Sequence, residues 1–355
     1  MPTGNWISYT AAGVLFLCIL LIPQFISDFA VHFFIMLFMY AALSQAWNWI
    51  GGYAGQISAG HVVFFGLGAY STGISQQMWG WNPWLGVLLG VFVGVAFGAL
   101  IGIPTFRTHG GYFVIATLAI GEIFFSLFMG WRWVGGGSGF FLSRLPNSII
   151  NFRFATKIGY FYVLMVIFVL AVAITIWLER SKIGYYLRAI KGDFEASRAI
   201  GINLQRYKLI AMMMSAGMTA LIGGYWANYV LFIDPESVFM RDVSTRILLT
   251  TIVGGVGTVL GPIIGSIVIT PLVEGTRMIL GGTGTGFDMV IYGIIIMVIA
   301  VFQPEGIMGI WKSYKTKQRY KKQQTDAERM WHSRESETGK TALNGGGTDE
   351  PDSEN

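Results

Sequence analysis

Three polar groupings interrupt an otherwise apolar chain, and each suits a different chemistry. The first is Gly51-Gly52-Tyr53-Ala54-Gly55-Gln56-Ile57-Ser58-Ala59-Gly60-His61. Tyr53, Gln56, Ser58 and His61 bring hydroxyl, amide and imidazole groups onto backbone that Gly51, Gly52 and Gly55 make pliable. Buried polar groups need hydrogen-bond partners, and a helix broken inside a membrane frees N–H and C=O groups of its own. Such a site could receive the carboxylate and ammonium of an amino acid at mid-membrane; alternatively, Ser58 and His61 only satisfy the local break. The second is Glu122, at the centre of the apolar run 111–130. An ionisable group there is costly and marks a solute or proton pathway by default, unless it pairs with a neighbouring helix and holds the bundle together. His32, the other ionisable group in such a run, reads as packed and satisfied. The third is 184–202, where Arg188, Lys191, Asp193, Glu195 and Arg198 alternate with Leu187, Ile190, Phe194 and Ile200. This pattern predicts short amphipathic helices separated by Gly192 and stopped near Gly201, a docking surface for a partner rather than a plain loop. Asp234, Glu236, Arg241, Asp242 and Arg246 read as boundary and loop residues.

The elements that must position these groups are membrane helices. The 355 residues are 54% hydrophobic and 12% charged, against roughly 25% charged in ordinary globular chains. Residues 1–178 carry five Lys/Arg and two Asp/Glu, whereas 303–355 carry nine of each. The first half cannot cover itself with a polar surface, which excludes a cytosolic enzyme, a secreted domain and a coiled coil. Apolar runs at about 9–26, 29–50, 57–75, 83–103, 111–130, 160–178, 209–232, 244–270 and 287–302 predict an all-α polytopic membrane protein of about 8–10 segments. Some of these are short or broken. The first run reads as a retained helix, since no basic residue precedes it. A single cysteine, Cys18, and four scattered histidines offer no metal site or disulfide framework. Gly86, Gly90, Gly94, Gly98 and Gly102 form a stripe along one helix and predict close packing. Glu337–Thr341 ends like a phosphate-binding loop, but Arg334 stands where its first glycine belongs.

Lys and Arg give the direction. Seven of them in 179–208 and six in 312–322 mark two cytoplasmic segments, which an even number of crossings must separate. Three apolar runs lie between them. Gly254, Gly255, Gly257, Gly261 and Pro262 resolve this by splitting 244–270 into two short helices; a re-entrant excursion elsewhere is the alternative. The breaks at 51–55 and 254–257 also resemble one another, as in a duplicated architecture. Arg132, Arg144, Arg153 and Lys157 fall on the outer side and oppose the rule. Residues 1–311 form the expected membrane domain, and 312–355 a basic and then disordered polar tail.

Taken in order, Gly52–His61, Arg107–Phe113, Thr117–Glu122, Leu187–Lys191, Glu195-Ala196, Gly201-Ile202, Gly254–Pro262 and Phe302–Gly309 resemble the LivM-type permease of the bacterial high-affinity branched-chain amino acid ABC importer family. The resemblance spans about residues 30–311. It implies a multi-pass inner-membrane subunit, itself not an enzyme, that moves leucine, isoleucine or valine. A homologous second permease, two cytoplasmic ATPases and a periplasmic solute-binding protein would complete the importer, with no nucleic acid, cofactor or metal. Residues 184–202 then correspond to the ATPase-coupling segment, with Glu195 and Gly201 its key positions, and Tyr53–His61 lies within the membrane domain. One departure is Gly110-Gly111-Tyr112-Phe113, where family members often carry an acid in place of Gly111. Urea, short amides or other amino acids are alternative solutes, and a proton-coupled carrier using Glu122 is the alternative class.

Overall fold

A computed structural model describes residues 22–280 except 109 and 144, together with 293, 294, 297 and 306–309. The first apolar run up to residue 21, most of 287–302, the Lys312–Lys322 cluster and the polar tail lie outside the described residues. The chain divides into two compact units, Met1–Met308 and Gly309–Asn355, and the description that follows concerns the first.

Among the described residues the fold is all-α apart from one two-residue ribbon. In chain order the helices are α1 (Asp28–Asn48), α2 (Val62–Trp79), α3 (Pro83–Thr105), α4 (Gly111–Gly130), α5 (Lys157–Arg180), α6 (Lys182–Gly192), α7 (Phe194–Ala199), α8 (Leu204–Val230), α9 (Pro235–Phe239), α10 (Arg241–Gly254) and α11 (Gly261–Leu280). A helix needs about 20 residues to span the roughly 30 Å of hydrocarbon. Five segments meet that length and composition: α1 with its π-type extension through Tyr53, α3, α4, α5 and α8. The chain is a multi-pass membrane protein. Strands β1 (Phe140–Phe141) and β2 (Phe232–Ile233) pair antiparallel at the end opposite 179–208, with Phe140 against Ile233.

Helix starts carry side-chain caps. Ser27 accepts from the Ala30 N–H, Asn82 from Trp84, Ser181 from Gly184, Asp193 from Ala196 and Asn203 from Arg206. Each satisfies an amide that the helix itself leaves open. Asp193 and the preceding Gly192 set α6 and α7 apart, and Gly201 turns at φ +84°, as the mixed-charge pattern predicts.

The glycine stripe sets the bundle's tightest packing. A methyl group on Gly90 would lie 2.9 Å from the Gly68 carbonyl of α2, and one on Gly94 would lie 2.5 Å from Ala220 Cβ of α8. Backbones approach this closely only where side chains are absent. The 244–270 run splits as expected: α10 ends at Gly254 and α11 begins at Gly261, running back alongside it so that Arg246 of α10 meets Glu274 of α11 at 3.0 Å.

The structure removes one of the outer-side basic residues, Arg153, from the count that opposes the charge rule. Arg153 is only 4% exposed. Its guanidinium donates to the Asn228 carbonyl and side-chain oxygen at 3.2 Å and to the Ser143 carbonyl at 3.3 Å. It knits the loop to α8 and is not a surface charge of the kind that sets orientation. Gly94→Val should lower thermal stability in detergent by about 1–3 kcal/mol through overpacking. Gly111→Ala, with nothing within 4 Å of the added carbon, should leave the melting temperature unchanged. Equal melting of both variants with the wild type would show that the stripe does not limit packing.

Candidate functional site

The first glycine-rich segment follows α1, whose last residues continue as a π-type turn over Trp49–Tyr53. Gly51, Gly52, Tyr53, Ser58 and His61 are buried, and Gln56 is half-buried. Three of the freed amides find partners: Gln56 N–H donates to the Ile50 carbonyl, Ala59 N–H to Thr117 Oγ1 of α4, and Val62 N–H to Ser244 Oγ of α10. Trp47 Nε1 donates to the Ser58 carbonyl at 2.7 Å. Ser215 Oγ of α8 donates to the Ala46 carbonyl, so it accepts from His61 Nε2–H at 2.7 Å. That leaves Nδ1 to accept the Ser58 hydroxyl at 3.0 Å, which assigns the neutral Nε2–H tautomer. Ser58 and His61 therefore tie the break to α1 and α8. The Tyr53 hydroxyl is buried without a hydrogen-bond partner among the described residues.

The second glycine-rich segment, Gly254–Gly261, packs directly on the first. A methyl group on Gly52 would lie 2.7 Å from Gly257 N. The Asn48 side chain of α1 spans the two: Nδ2 donates to the Thr258 carbonyl at 2.9 Å, and Oδ1 accepts from Gly257 N–H at 2.8 Å. One turn earlier, Gln45 Nε2 donates to the Val259 carbonyl at 2.6 Å. Thr258 Oγ1 accepts from Gly261 N–H, and Pro262 sits in the first turn of α11, where its missing N–H costs nothing. Gly257 has φ +79°, a conformation side chains resist. The structure thus brings together Gly51, Gly52, Gly55, Gly254, Gly255, Gly257, Gly261 and Pro262, which the sequence separates by about two hundred residues.

Lys191, at the end of α6, reaches this junction. Its Nζ donates to the Gly52 carbonyl at 2.9 Å, and its side-chain carbons lie against Gly55. A methyl group on Gly257 would lie 3.4 Å from the same Nζ. Arg188, Asp193, Glu195, Arg198 and Gly201 are exposed, and Arg188 also fastens α6 to α5 by donating to the Glu179 carbonyl at 2.6 Å. The exposed segment 182–201 is therefore bonded through one lysine to the first break, beside the point where the second packs on it.

Glu122 lies apart from this junction, at the midpoint of α4. Its Oε1 accepts from Arg241 Nε at 3.0 Å and Nη2 at 2.7 Å. The side chains are 46% and 61% exposed, and a cavity of about 420 Å³ beside them is also lined by Phe125, Phe239, Met240, Asp242 and Thr245. Arg241 and Arg246 are not the loop residues that the sequence suggests. The chain is extended at Met240, with φ −63° and ψ 137°, and both arginines lie on α10, Arg241 in its exposed first turn and Arg246 further along in the bundle. Arg246 is 3% exposed, pairs with Glu274 and lies 3.8 Å from the centre of the Tyr40 ring.

The model of the family described as branched-chain amino acid transport system, permease component, matches residues 29–300. The chain belongs to this family. The matched span takes in every residue of both glycine breaks, α6–α7 and the Glu122–Arg241 pair. Among relatives, the high-affinity branched-chain amino acid transport system permease LivM of Salmonella typhimurium is 25% identical over 84% of this chain and 76% of its own length. LivH of the same organism is 26% identical over 76% of this chain and 91% of its own. The xylose/arabinose import permease XylH of Sulfolobus acidocaldarius is 27% identical over 44% of this chain and 46% of its own.

Gln45, Asn48, Lys191 and Ser215 were missed as site residues in the sequence. The available signal was Gln45 and Asn48 themselves, two amides inside an apolar run one turn ahead of a glycine pair. Asn48→Leu keeps the volume but leaves Gly257 N–H and the Thr258 carbonyl unpaired. It should destabilise the permease by about 2–4 kcal/mol, read as a lowered melting temperature, with Gly52→Ala having the same sign. Unchanged melting in both variants would contradict the assignment.

Proposed function

We propose that this chain is a transmembrane permease subunit of an ATP-driven importer that moves leucine, isoleucine and valine across a bacterial inner membrane. The observation that carries this reading is the family match over 29–300, joined to an exposed amphipathic segment bonded to the first of two coupled helix breaks. The chain itself performs no chemistry in this reading. Cytoplasmic ATPases bind 182–201, a second, homologous permease packs against the open face, and a periplasmic binding protein delivers the amino acid at the β1–β2 end.

The mechanism follows from the contacts. Closure of the ATPases on nucleotide displaces α6–α7. Lys191 transmits that displacement to the Gly52 carbonyl, and Asn48 carries it to Gly257, so the two breaks shift together. A nucleotide cycle can then bias the bundle between outward- and inward-open populations. The Glu122–Arg241 pair supports a pathway on the open face of α4 and α10. A half-exposed ion pair at the middle of a span is poorly tolerated by hydrocarbon, at about 2.5 kcal/mol or more per charge, so a polar passage or a partner subunit has to cover it. A small cavity edged by the Glu122 and Asp242 carboxylates and one guanidinium beside Phe125 and Phe239 offers an anion site, a cation site and an apolar wall to an amino acid. Gln56, beside the exposed Ile57 and half-buried itself, is the member of the Tyr53–His61 group most accessible to solute.

The test is ATP-dependent leucine uptake by the complex reconstituted in vesicles. Lys191→Met should reduce uptake at least about tenfold, a loss of about 1.4 kcal/mol of coupling, while ATP hydrolysis continues, and Lys191→Arg should recover part of it. Glu195 and Gly201 substitutions should uncouple in the same way. Uptake that is unchanged in Lys191→Met, or that proceeds from the lone chain without an ATPase, would overturn this reading. Glu122→Gln should lower uptake without reducing membrane insertion, and normal uptake would leave Glu122 a purely structural role.

A further inference from the structure

At the 179–208 end, α3, α7 and the start of α8 border a cavity of about 580 Å³ that shares Glu195 and Arg198 with the docking segment, while Arg107 and Lys208 lie outside that segment. Lys208 lines it and is only 2% exposed. Its ammonium lies 4.8 Å from the centre of the Phe194 ring and makes no hydrogen bond or ion pair among the described residues. An ammonium at the tip of an almost wholly buried side chain, against an aromatic face and open only to the cavity, lacks a counter-charge from the protein. Arg107 and Arg198 also face the cavity, and Glu195 is the one acid there. Three cations against one carboxylate leave room for an anion.

We propose that this cavity binds the phosphate of an anionic phospholipid from the leaflet at this end of the bundle. Two features favour a lipid over a free ion. The remaining walls include Phe106, Ile202 and Leu204, which suit the neck of a lipid better than a hydrated ion. Leu100 and Ile103 on α3 are 64% and 47% exposed. They stand three and four residues apart from one another and from Arg107, on the face that leads away from the cavity along the span. That face gives acyl chains a continuous apolar track. Basic pockets between helices at the cytoplasmic boundary recognise such headgroups by this chemistry. The inference needs only membrane insertion and the direction set by the basic segments, and it stands whether or not the solute is an amino acid. Because α7 forms one wall, a bound headgroup would also hold the docking segment against the membrane.

The test uses full-length protein in nanodiscs of phosphatidylcholine with or without phosphatidylglycerol, with retained lipid counted by native mass spectrometry after extraction. The wild type should retain phosphatidylglycerol in preference to phosphatidylcholine. Lys208→Met should reduce that retention about fivefold, the loss expected for one basic contact near the surface. Arg107→Gln, on an exposed side chain that folding does not need, should reduce it in the same direction. Excess inorganic phosphate should leave the retained lipid in place. Equal retention in the wild type and both variants would overturn the proposal, as would full displacement by inorganic phosphate, which would assign a free anion. Unchanged lipid retention with loss of a co-purifying ATPase would also overturn it and assign the cavity to an acidic side chain of that partner.

Discussion

The Asn48 amide holds together the part of the molecule on which the rest depends. Two stretches of backbone that glycine releases from helical order meet at its side chain, one following α1 and the other joining α10 to α11. Inside a membrane no water satisfies backbone groups freed in this way, so each break can exist only while some other residue completes its hydrogen bonds. Asn48 can do so for the second break because a primary amide presents one donor and one acceptor side by side, as a peptide does. Its position one turn before Gly52 makes the two breaks neighbours. Neither segment can then move far without disturbing the other, and Lys191 places the exposed α6–α7 segment one hydrogen bond from the first of them.

The few charges within the bundle divide by what surrounds them. Arg246 lies over the Tyr40 ring of α1 and pairs with Glu274 of α11, so the pair fixes how the two halves of the split run pack. Glu122 and Arg241 form an equally short pair at a surface, and that surface is open in the isolated protomer. Helix α4 is the least buried of the long helices, so the open face and the charged pair coincide. A second permease and a polar passage along this face would remove the energetic problem that the lone protomer presents.

Much of the architecture is legible in local sequence because membrane helices are specified by local quantities. The apolar runs, the four-residue glycine stripe on α3, the break at Gly254–Gly261 demanded by the parity of basic segments, and the α6–α7 pair separated at Gly192 all follow from composition and spacing. The connections do not. Glu122 is visibly anomalous, but its partner stands 119 residues away. Arg241 reads as a loop residue because neither glycine nor proline marks the extended Met240 after which α10 begins. Asn48 and Gln45 look like tolerated polar residues until the second break is folded onto them. Lys191 is one of seven basic residues whose sum marks the cytoplasmic side, and nothing local separates it from the other six. Arg153 gives the opposite case, a basic residue that misleads the charge rule because its guanidinium is spent on backbone and amide oxygens.

The central claim is that the two glycine breaks move as one unit because Asn48 joins them. Amide hydrogen exchange of the assembled transporter, with and without a trapped nucleotide, measures this directly. In the wild type, segments 49–60 and 254–261 should change protection together on nucleotide binding, and in Asn48→Leu the change in 254–261 should be lost while that in 49–60 persists. A wild type in which only one of the two segments responds, or an Asn48→Leu variant in which both still respond together, would contradict the account.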